Sequence, residues 1–384
     1  MKILILSSSY SNYATKQLIK AIENRGHKAI VLDPKKIHLY ISSSEFGYDK
    51  LYDGYNKEMI AVNERSFDAV IPRVTNTNYA SFIIEHLHKN LNIFTTASAK
   101  SLLIASNKMR TQQVASINGI AVPKTILFNG TKHLKVLVEK VGGFPLVMKE
   151  QFGSKGYGVS KISDFNTLLS VVQNLSRYDS KLILQEYIKS KEDYRAIVIN
   201  DKVVLAMKRV SSDKKEFRAN LSLGGKSELV TLTNEQELFC IKSAKAIGML
   251  NCGIDFIMKE GKPIFIEGNR NYGYRIQKLT DKVSIANELI KFIEEQINIK
   301  KEGIVFNGSI PKDPYSEIML QDKKIKELEK KLSFYNNNKY MLKVYENLKG
   351  QSVKYRDRKG EKRIVVVTNI SDTYEIVFNT LNID

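Results

Sequence analysis

The stretch "PLVMKEQFGSKGYGV" (Pro145–Val159) sets three glycines and a lysine behind an apolar run that itself ends in lysine and glutamate. Gly153, Gly156 and Gly158 let the backbone take φ > 0 and approach a ligand closely. Lys155 adds a point charge suited to phosphate. The residue order fits neither GxxxxGK[ST] nor GxGxxG. Both of those motifs feed a helix N-terminus, whereas here "GVSKI" reads as a return strand after "FPLVMKE". The segment is therefore expected to be a hairpin tip between strands. A glycine cluster of this kind is more often a plain turn than a phosphate cradle, so the flanking sequence has to supply any argument for a ligand.

Upstream, "NKMRTQQVASINGI" (Asn107–Ile120) predicts an amphipathic helix ended by Gly119, and "AVPKTILF" a strand opened by Pro123. Downstream come a helix "DFNTLLSVVQNL", a strand "KLILQEYI", and the pair "DYRAIVIND" and "KVVLAMKRV" turning at Asn200–Asp201. After a helix ending at Gly248, "CGIDFIMKEGKPIFIEGN" reads as two strands about a Glu260–Gly261 turn, and "VSIANELIKFIEEQI" as a last helix. At the N-terminus, "KILILSS" is apolar enough for a parallel strand buried on both faces. "ATKQLIKAIENRGH" places Leu18, Ile19 and Ile22 at helical spacing with Gly26 as its stop. "KAIVLD" and "FDAVIPR" are further strands, so residues 1–95 predict a doubly wound α/β domain. Its first turn, "SSSYSN", lacks glycine, which argues against a dinucleotide-binding Rossmann domain.

A chain of 384 residues, 43% hydrophobic and 26% charged, is expected to form two or three globular domains. No apolar run reaches a membrane-spanning length, and "MKILILSSSY" has too short an apolar core for a secretory signal. Cys240 and Cys252, the sole cysteines, give neither metal-ligand spacing nor a disulfide framework, which suits a reducing cytoplasm. The net charge of +19 would fit nucleic acid, an anionic substrate or an acidic partner, or simply a solvated lysine-rich surface. The last 84 residues carry +4 and the first 300 the remaining +15, so this is no basic tail on a neutral core.

Three oxygen-bearing side chains fall together: Asp255 in "GIDFI", and Glu267 and Asn269 in "FIEGN". Glu267 and Asn269, two apart on a strand, point the same way, and the neighbouring strand brings Asp255 to that face. Two carboxylates and an amide are hard ligands suited to Mg²⁺, although exposed strand ends would look the same. Lys149 stands in an otherwise apolar strand, where a buried ammonium needs a partner such as phosphate. Lys108 opens its helix and reaches the same region. "EFRANLSLGG" adds Arg218 and Asn220 after Arg209, and arginine can brace a transferring phosphoryl group.

In order, the chain carries "NKMRTQQVASINGIAVPKT", "PLVMKEQFGSKGYGV", "LILQEYIKSKEDYRAIVINDKVVLAMKR", "EFRANLSLGG" and "GIDFIMKEGKPIFIEGN". This series resembles the ATP-grasp superfamily, and within it the RimK branch, which ligates amino acids such as glutamate onto peptide or protein ends. With "TKQLIKAIENRGHKAIVLDP" and "FDAVIPR" the resemblance covers residues 1–298. It implies an α/β chain with α+β subdomains: an N-terminal doubly wound pre-ATP-grasp domain (1–95), a small lid subdomain (96–187), a large subdomain with the metal site (188–300), and an extension of unknown role (301–384). It also implies that Lys108 and Lys149 contact ATP phosphates under a lid containing Gly153, Ser154, Lys155 and Gly156. Glu186, Tyr187 and Ile188 would line the adenine, Asp193 would take the ribose, and Asn220 would sit by the triphosphate. Asp255, Glu267 and Asn269 would hold Mg²⁺, with Mn²⁺ as an alternative, and Arg195, Arg209 and Arg218 would line the reacting end. Lys149, Arg209 and Arg218 are the expected catalytic residues.

Two departures bear on the substrate. Where glutamate-adding relatives have His-Arg before a double glycine, this chain has Ser222–Leu223, and where they read approximately Ala-Ser-Pro-Gly after the metal asparagine, it has Arg270–Asn271–Tyr272–Gly273. The expected activity is an ATP- and Mg²⁺-dependent carboxylate–amine ligase that forms an amide through an acylphosphate, adding an amino acid to a peptide or protein acceptor. The same site would also serve a macrocyclase that closes ester or amide links in a ribosomal peptide precursor. From another class comes a non-catalytic nucleotide- or nucleic-acid-binding protein, but no aromatic-rich basic motif supports nucleic acid. The resemblance further implies a cytoplasmic homo-oligomer, a tetramer or dimer. In residues 301–384, "DKKIKELEKKL" predicts a helix and "KRIVVVTNI" and "TYEIVF" predict strands of an element docked on the enzyme.

Overall fold

A computed structural model describes residues 1–41, 50–53, 60–62, 66–153, 158–176, 181–190, 192–210, 226–280, 282–301, 342–343, 352–356, 362–370 and 376–382. The chain opens β1 (Lys2–Leu6), α1 (Tyr13–Asn24), β2 (Lys28–Leu32), as the apolar periodicities predict. A small antiparallel sheet of β3 (Ile37–Tyr40), β4 (Lys50–Asp53) and β5 (Ile60–Val62) follows, without a signal in the sequence reading. Then come β6 (Ala69–Pro72), α2 (Thr77–Glu85) and β7 (Phe94–Thr95). The first sheet has the order β2-β1-β6-β7 with every pair parallel. Successive strands are added to opposite sides of β1, so the order reverses between β1 and β6, and the loops after them share one crevice.

Helices α3 (Ala99–Ser106) and α4 (Lys108–Ile117) lead into β8 (Thr125–Phe128), α5 (Leu134–Lys140), β9 (Leu146–Glu150), β10 (Val159–Ile162), α6 (Phe165–Ser176) and β11 (Leu182–Glu186). These strands form an antiparallel sheet in the order β10-β9-β11-β8. Val159 pairs with Lys149, so the glycine segment does join two strands as a hairpin. Leu146, Met148, Leu182 and Leu184 pack with α5 and α6 residues such as Val138 and Leu168. By strand alternation Val147, Lys149, Ile183 and Gln185 face the other way.

The third sheet joins β12 (Glu192–Ile199), β13 (Lys202–Val210), β14 (Lys226–Leu229), β15 (Asn251–Lys259) and β16 (Lys262–Asn269), with α7 (Asn234–Ala246) preceding β15 and α8 (Ile285–Lys301) following β16. Its order is β14-β13-β12-β15-β16, antiparallel throughout. Glu260 and Gly261 take positive φ (52° and 77°) at the tight turn between β15 and β16. One face packs Ala196, Val198, Ile254 and Phe256 against α7 residues such as Cys240 and Ala244. The other is divided: Ile197, Ile199 and Met207 lie under α8 with Tyr272 and Tyr274, whereas Asp193, Arg195, Arg209, Asp255 and Glu267 make its polar half. Gly253 lets the turn after β16 cross the sheet here, since a Cβ at this position would lie 3.1 Å from Cβ of Tyr272.

Residues Met1–Pro311 form one compact unit and Lys312–Asp384 another. The second contains an antiparallel sheet, β17 (Leu342–Lys343), β18 (Ser352–Arg356), β19 (Lys362–Ile370) and β20 (Ile376–Asn382). The strand predicted in "KRIVVVTNI" corresponds to β19, and β20 overlaps the second half of "TYEIVF", whose first three residues, like the helix predicted at "DKKIKELEKKL", lie outside the described residues. No described helix is long and apolar enough to cross a membrane.

Gly253→Val should push Tyr272 off the sheet and destabilise the protein by about 1–3 kcal/mol, read as a lower urea midpoint. An unchanged midpoint would mean that the turn yields freely.

Candidate active site

The polar half of the five-stranded sheet is built by register. Arg209 lies opposite Asp193, Arg195 opposite Asp255, and Asp255 opposite Glu267, so alternate positions on four strands bring these charges to one face. Asp255 is buried and accepts from Arg195 Nε (2.6 Å) and Nη2 (2.5 Å) and from Arg209 Nη2 (3.1 Å). Arg209, equally buried, also donates through Nε to Asp193. Burial by itself would raise the pKa of Asp255, but the two guanidinium groups reverse this and hold it below the usual carboxylate range. Burial likewise works against the charge of Arg209, and Asp255 and Asp193 overcome it, leaving its pKa raised.

Across from this network stands Lys149. Its Nζ donates to Gln185 Oε1 at 2.6 Å. Gln185 Nε2 in turn donates to Thr125 Oγ1 (2.9 Å), and that hydroxyl to the carbonyl of Pro123 (2.8 Å). Burial lowers the Lys149 pKa to about 8; Glu267 opposes the fall and Lys108 adds to it. Lys108 is also depressed by burial, with Glu267 and Glu150 opposing. Three expected site residues, Lys108, Lys149 and Glu267, thus influence one another electrostatically. The backbone N–H of Lys108 donates to Gln151 O (2.9 Å) and its Nζ to Gly153 O (3.2 Å), so α4 is tied to the first residues of the hairpin loop. Gln185 and Thr125 were missed, although Gln185 is a polar residue in the apolar run "LILQ" and carries, more weakly, the signal that picked out Lys149.

Glu186 ends β11, and its carboxylate accepts from Lys259 Nζ (2.5 Å) and from the backbone N–H of Lys124 (3.3 Å), bridging the two sheets. Burial raises its pKa, and these partners bring it below the ordinary value. Tyr187 follows, with Lys161 Nζ 4.3 Å from its ring centre, and Ile188 lies in the same connection. Asp193, expected at the ribose, is committed to Arg209. Gly153 is the last described residue before the tip; Ser154, Lys155, Gly156, Arg218 and Asn220 lie outside the described residues, as do Ser222 and Leu223.

Among the described residues no three acidic, His or Cys side chains cluster as a metal site. A cation would therefore rest on Asp255, Glu267 and the amide of Asn269, whose Nδ2 is buried without a partner among the described residues. The three side chains share a face by register, Asn269 standing opposite Gly253. This donor set fits a hard divalent cation, with Asp255 already shared by two arginines. The turn beyond them is partly buried. Burial holds the pKa of Arg270 below the usual guanidinium value, and among the described residues no carboxylate offsets it.

Residues 105–293 match the RimK-like ATP-grasp domain and residues 1–102 the RimK pre-ATP-grasp domain. A probable alpha-L-glutamate ligase of Vibrio cholerae is 33% identical over 306 residues, covering 78% of this chain and 98% of its own. The chain belongs to the RimK-like ATP-grasp family. It is an ATP-dependent carboxylate–amine ligase that forms carbon–nitrogen bonds. Solved structures share the fold at low identity. The ATP-grasp ligase PsnB, complexed with a minimal precursor, Mg and ADP, superposes with TM-score 0.57 at 16% identity, covering 77% of this chain and 97% of its own. The macrocyclase MdnC of Microcystis aeruginosa, bound to the precursor peptide MdnA, gives 0.57 at 18% identity, covering 77% and 100%.

Two outcomes test the expected contact of Lys149 with the ATP phosphates. Gln185→Leu should leave the ammonium without its acceptor and weaken ATP binding about tenfold or more, measured by nucleotide titration with the melting curve as a folding control. Because burial lowers the pKa of Lys149 to about 8, ATP affinity should fall as pH rises through 8. The cation is present below that value and is lost above it, and Lys149→Met should abolish the step.

Proposed function

We propose that the protein adds a free amino acid to the carboxylate of a peptide or protein acceptor, with Lys108, Lys149, Glu267, Asn269, Asp255 and Arg209 as its working residues. The observation that carries this reading is the convergence of Lys149, Lys108 and Glu267 at the base of the β9–β10 hairpin. In the reaction an acceptor carboxylate takes the γ-phosphoryl group of ATP, giving an acylphosphate and ADP; the amine then attacks the acyl carbon and phosphate leaves.

In this reading Lys149 and Lys108 neutralise the phosphates, and Gln185 fixes where the Lys149 charge sits. Gly153, with Ser154, Lys155 and Gly156 beyond it, forms a lid that keeps water from the acylphosphate. Glu186, Tyr187 and Ile188 border the adenine, Asp193 the ribose, and Asn220 and Arg218 the triphosphate and reacting end. Asp255, Glu267 and Asn269 would hold Mg²⁺, which supplies further charge neutralisation on the phosphates. Arg195 and Arg209 orient Asp255 for that role. The subdomain bounds 1–95, 96–187, 188–300 and 301–384 and a homo-oligomeric state belong to the same reading. A second reading, macrocyclisation of a precursor peptide, draws on the fold shared with PsnB and MdnC.

ADP release in the presence of amino acid and acceptor should fall by about 100-fold or more in Lys149→Ala and Glu267→Ala, with melting curves unchanged. Full turnover in both variants would overturn the assignment. Mass spectrometry of the acceptor separates the two readings: a gain of an amino-acid residue supports ligation, and loss of water supports macrocyclisation.

A further inference from the structure

The turn after β16 holds polar atoms that are buried without a partner among the described residues: Nε of Arg270 and Oδ1 of Asn271, beside Nδ2 of Asn269. The turn is nevertheless firmly held. Asn271 Nδ2 donates to Val74 O (2.5 Å), and Arg73 Nη2 donates to Tyr272 O (3.1 Å) with its guanidinium 5.2 Å over the Tyr274 ring. Arg270 contrasts with these. Among the described residues its five N–H donors make one long contact, Nη2 to Thr75 O at 3.4 Å. A partly buried guanidinium without a carboxylate is costly to keep unless a ligand completes it.

Its position limits the ligand. Thr75 belongs to the loop after β6, so Arg270 meets the crevice where the first sheet reverses its order, the usual ligand position in open α/β sheets. Arg270 also lies three residues past Glu267, in the turn that follows β16. We propose that Arg270 receives the free α-carboxylate of the amino acid that supplies the attacking amine. This rests on the ligase reading and narrows it to free α-amino acids, excluding side-chain amines within a peptide. The planar guanidinium fork suits a carboxylate, and Oδ1 of Asn271 in the same turn is an unused acceptor for an N–H.

The test titrates the twenty L-amino acids and their α-carboxamides against the full chain held with a non-hydrolysable ATP analogue and Mg²⁺, with affinity read from the melting temperature. At least one free acid should bind, its α-amide about 10- to 100-fold more weakly. Arg270→Ala should bring the acid down to the amide, Arg270→Lys should recover part of the difference, and the affinity for the ATP analogue should stay constant. If Arg270→Ala does not fold, Arg270→Gln and Arg270→Lys carry the comparison. Equal binding of acid and amide, no response to any amino acid, or loss of nucleotide affinity in place of acid selectivity would each overturn the proposal. Retained nucleotide binding with no amino-acid response rejects this carboxylate site alone, because ADP release with an acceptor tests the ligase reading separately.

Discussion

Asp255 is a buried carboxylate placed between two guanidinium groups, and the arrangement of the site follows from the need to keep that charge paired. Removing a buried carboxylate from water is expensive unless cations and hydrogen bonds replace the solvent. Arg195 and Arg209 do so from β12 and β13, and Asp193 takes the remaining demand of Arg209. Antiparallel pairing forces these four side chains onto one face. The same face continues into Ile197, Ile199 and Met207, which α8 covers, so a single surface is core at one end and active site at the other.

Lys149 poses the opposite problem, a cation in an apolar strand. Gln185 meets it with a neutral acceptor, which supports the ammonium without cancelling its charge. Burial still brings its pKa to about 8. A phosphate arriving beside it would offset that desolvation. The hairpin that carries Lys149 is anchored at its base by Lys108 and Asn107 on α4, the latter donating from Nδ2 to Gln151 Oε1 at 2.9 Å. The strand that carries Lys149 and the first residues of the hairpin loop are therefore tied to the start of α4.

Much of the fold was legible because its signals are local. The apolar run Lys2–Leu6, the stop at Gly26, the Asn200–Asp201 and Glu260–Gly261 turns, and the strand on each side of the glycine segment all depend on neighbours in sequence. The β3–β4–β5 sheet was not legible, since its strands of three and four residues are too short to show a period. In the site, Lys149, Asp255 and Glu267 stood out as charges in apolar strands. Gln185 carries a weaker mark, because an uncharged amide is cheaper to bury than a charge.

What the sequence by itself determined is which residues share a strand and a face: Glu267 with Asn269, Asp193 with Arg195, Lys149 with Val147. Period-two alternation makes that a local property. Only the tertiary structure decided which faces meet and at what register, hence that Asp255 is held by two arginines, that Lys149 leans on Gln185 and, through it, Thr125, and that Arg270 reaches Thr75. Those contacts join residues up to 195 positions apart. They arise from sheet pairing and packing across domains, where the cost of an unpaired buried charge selects the partner, and no nearby stretch of sequence records that choice.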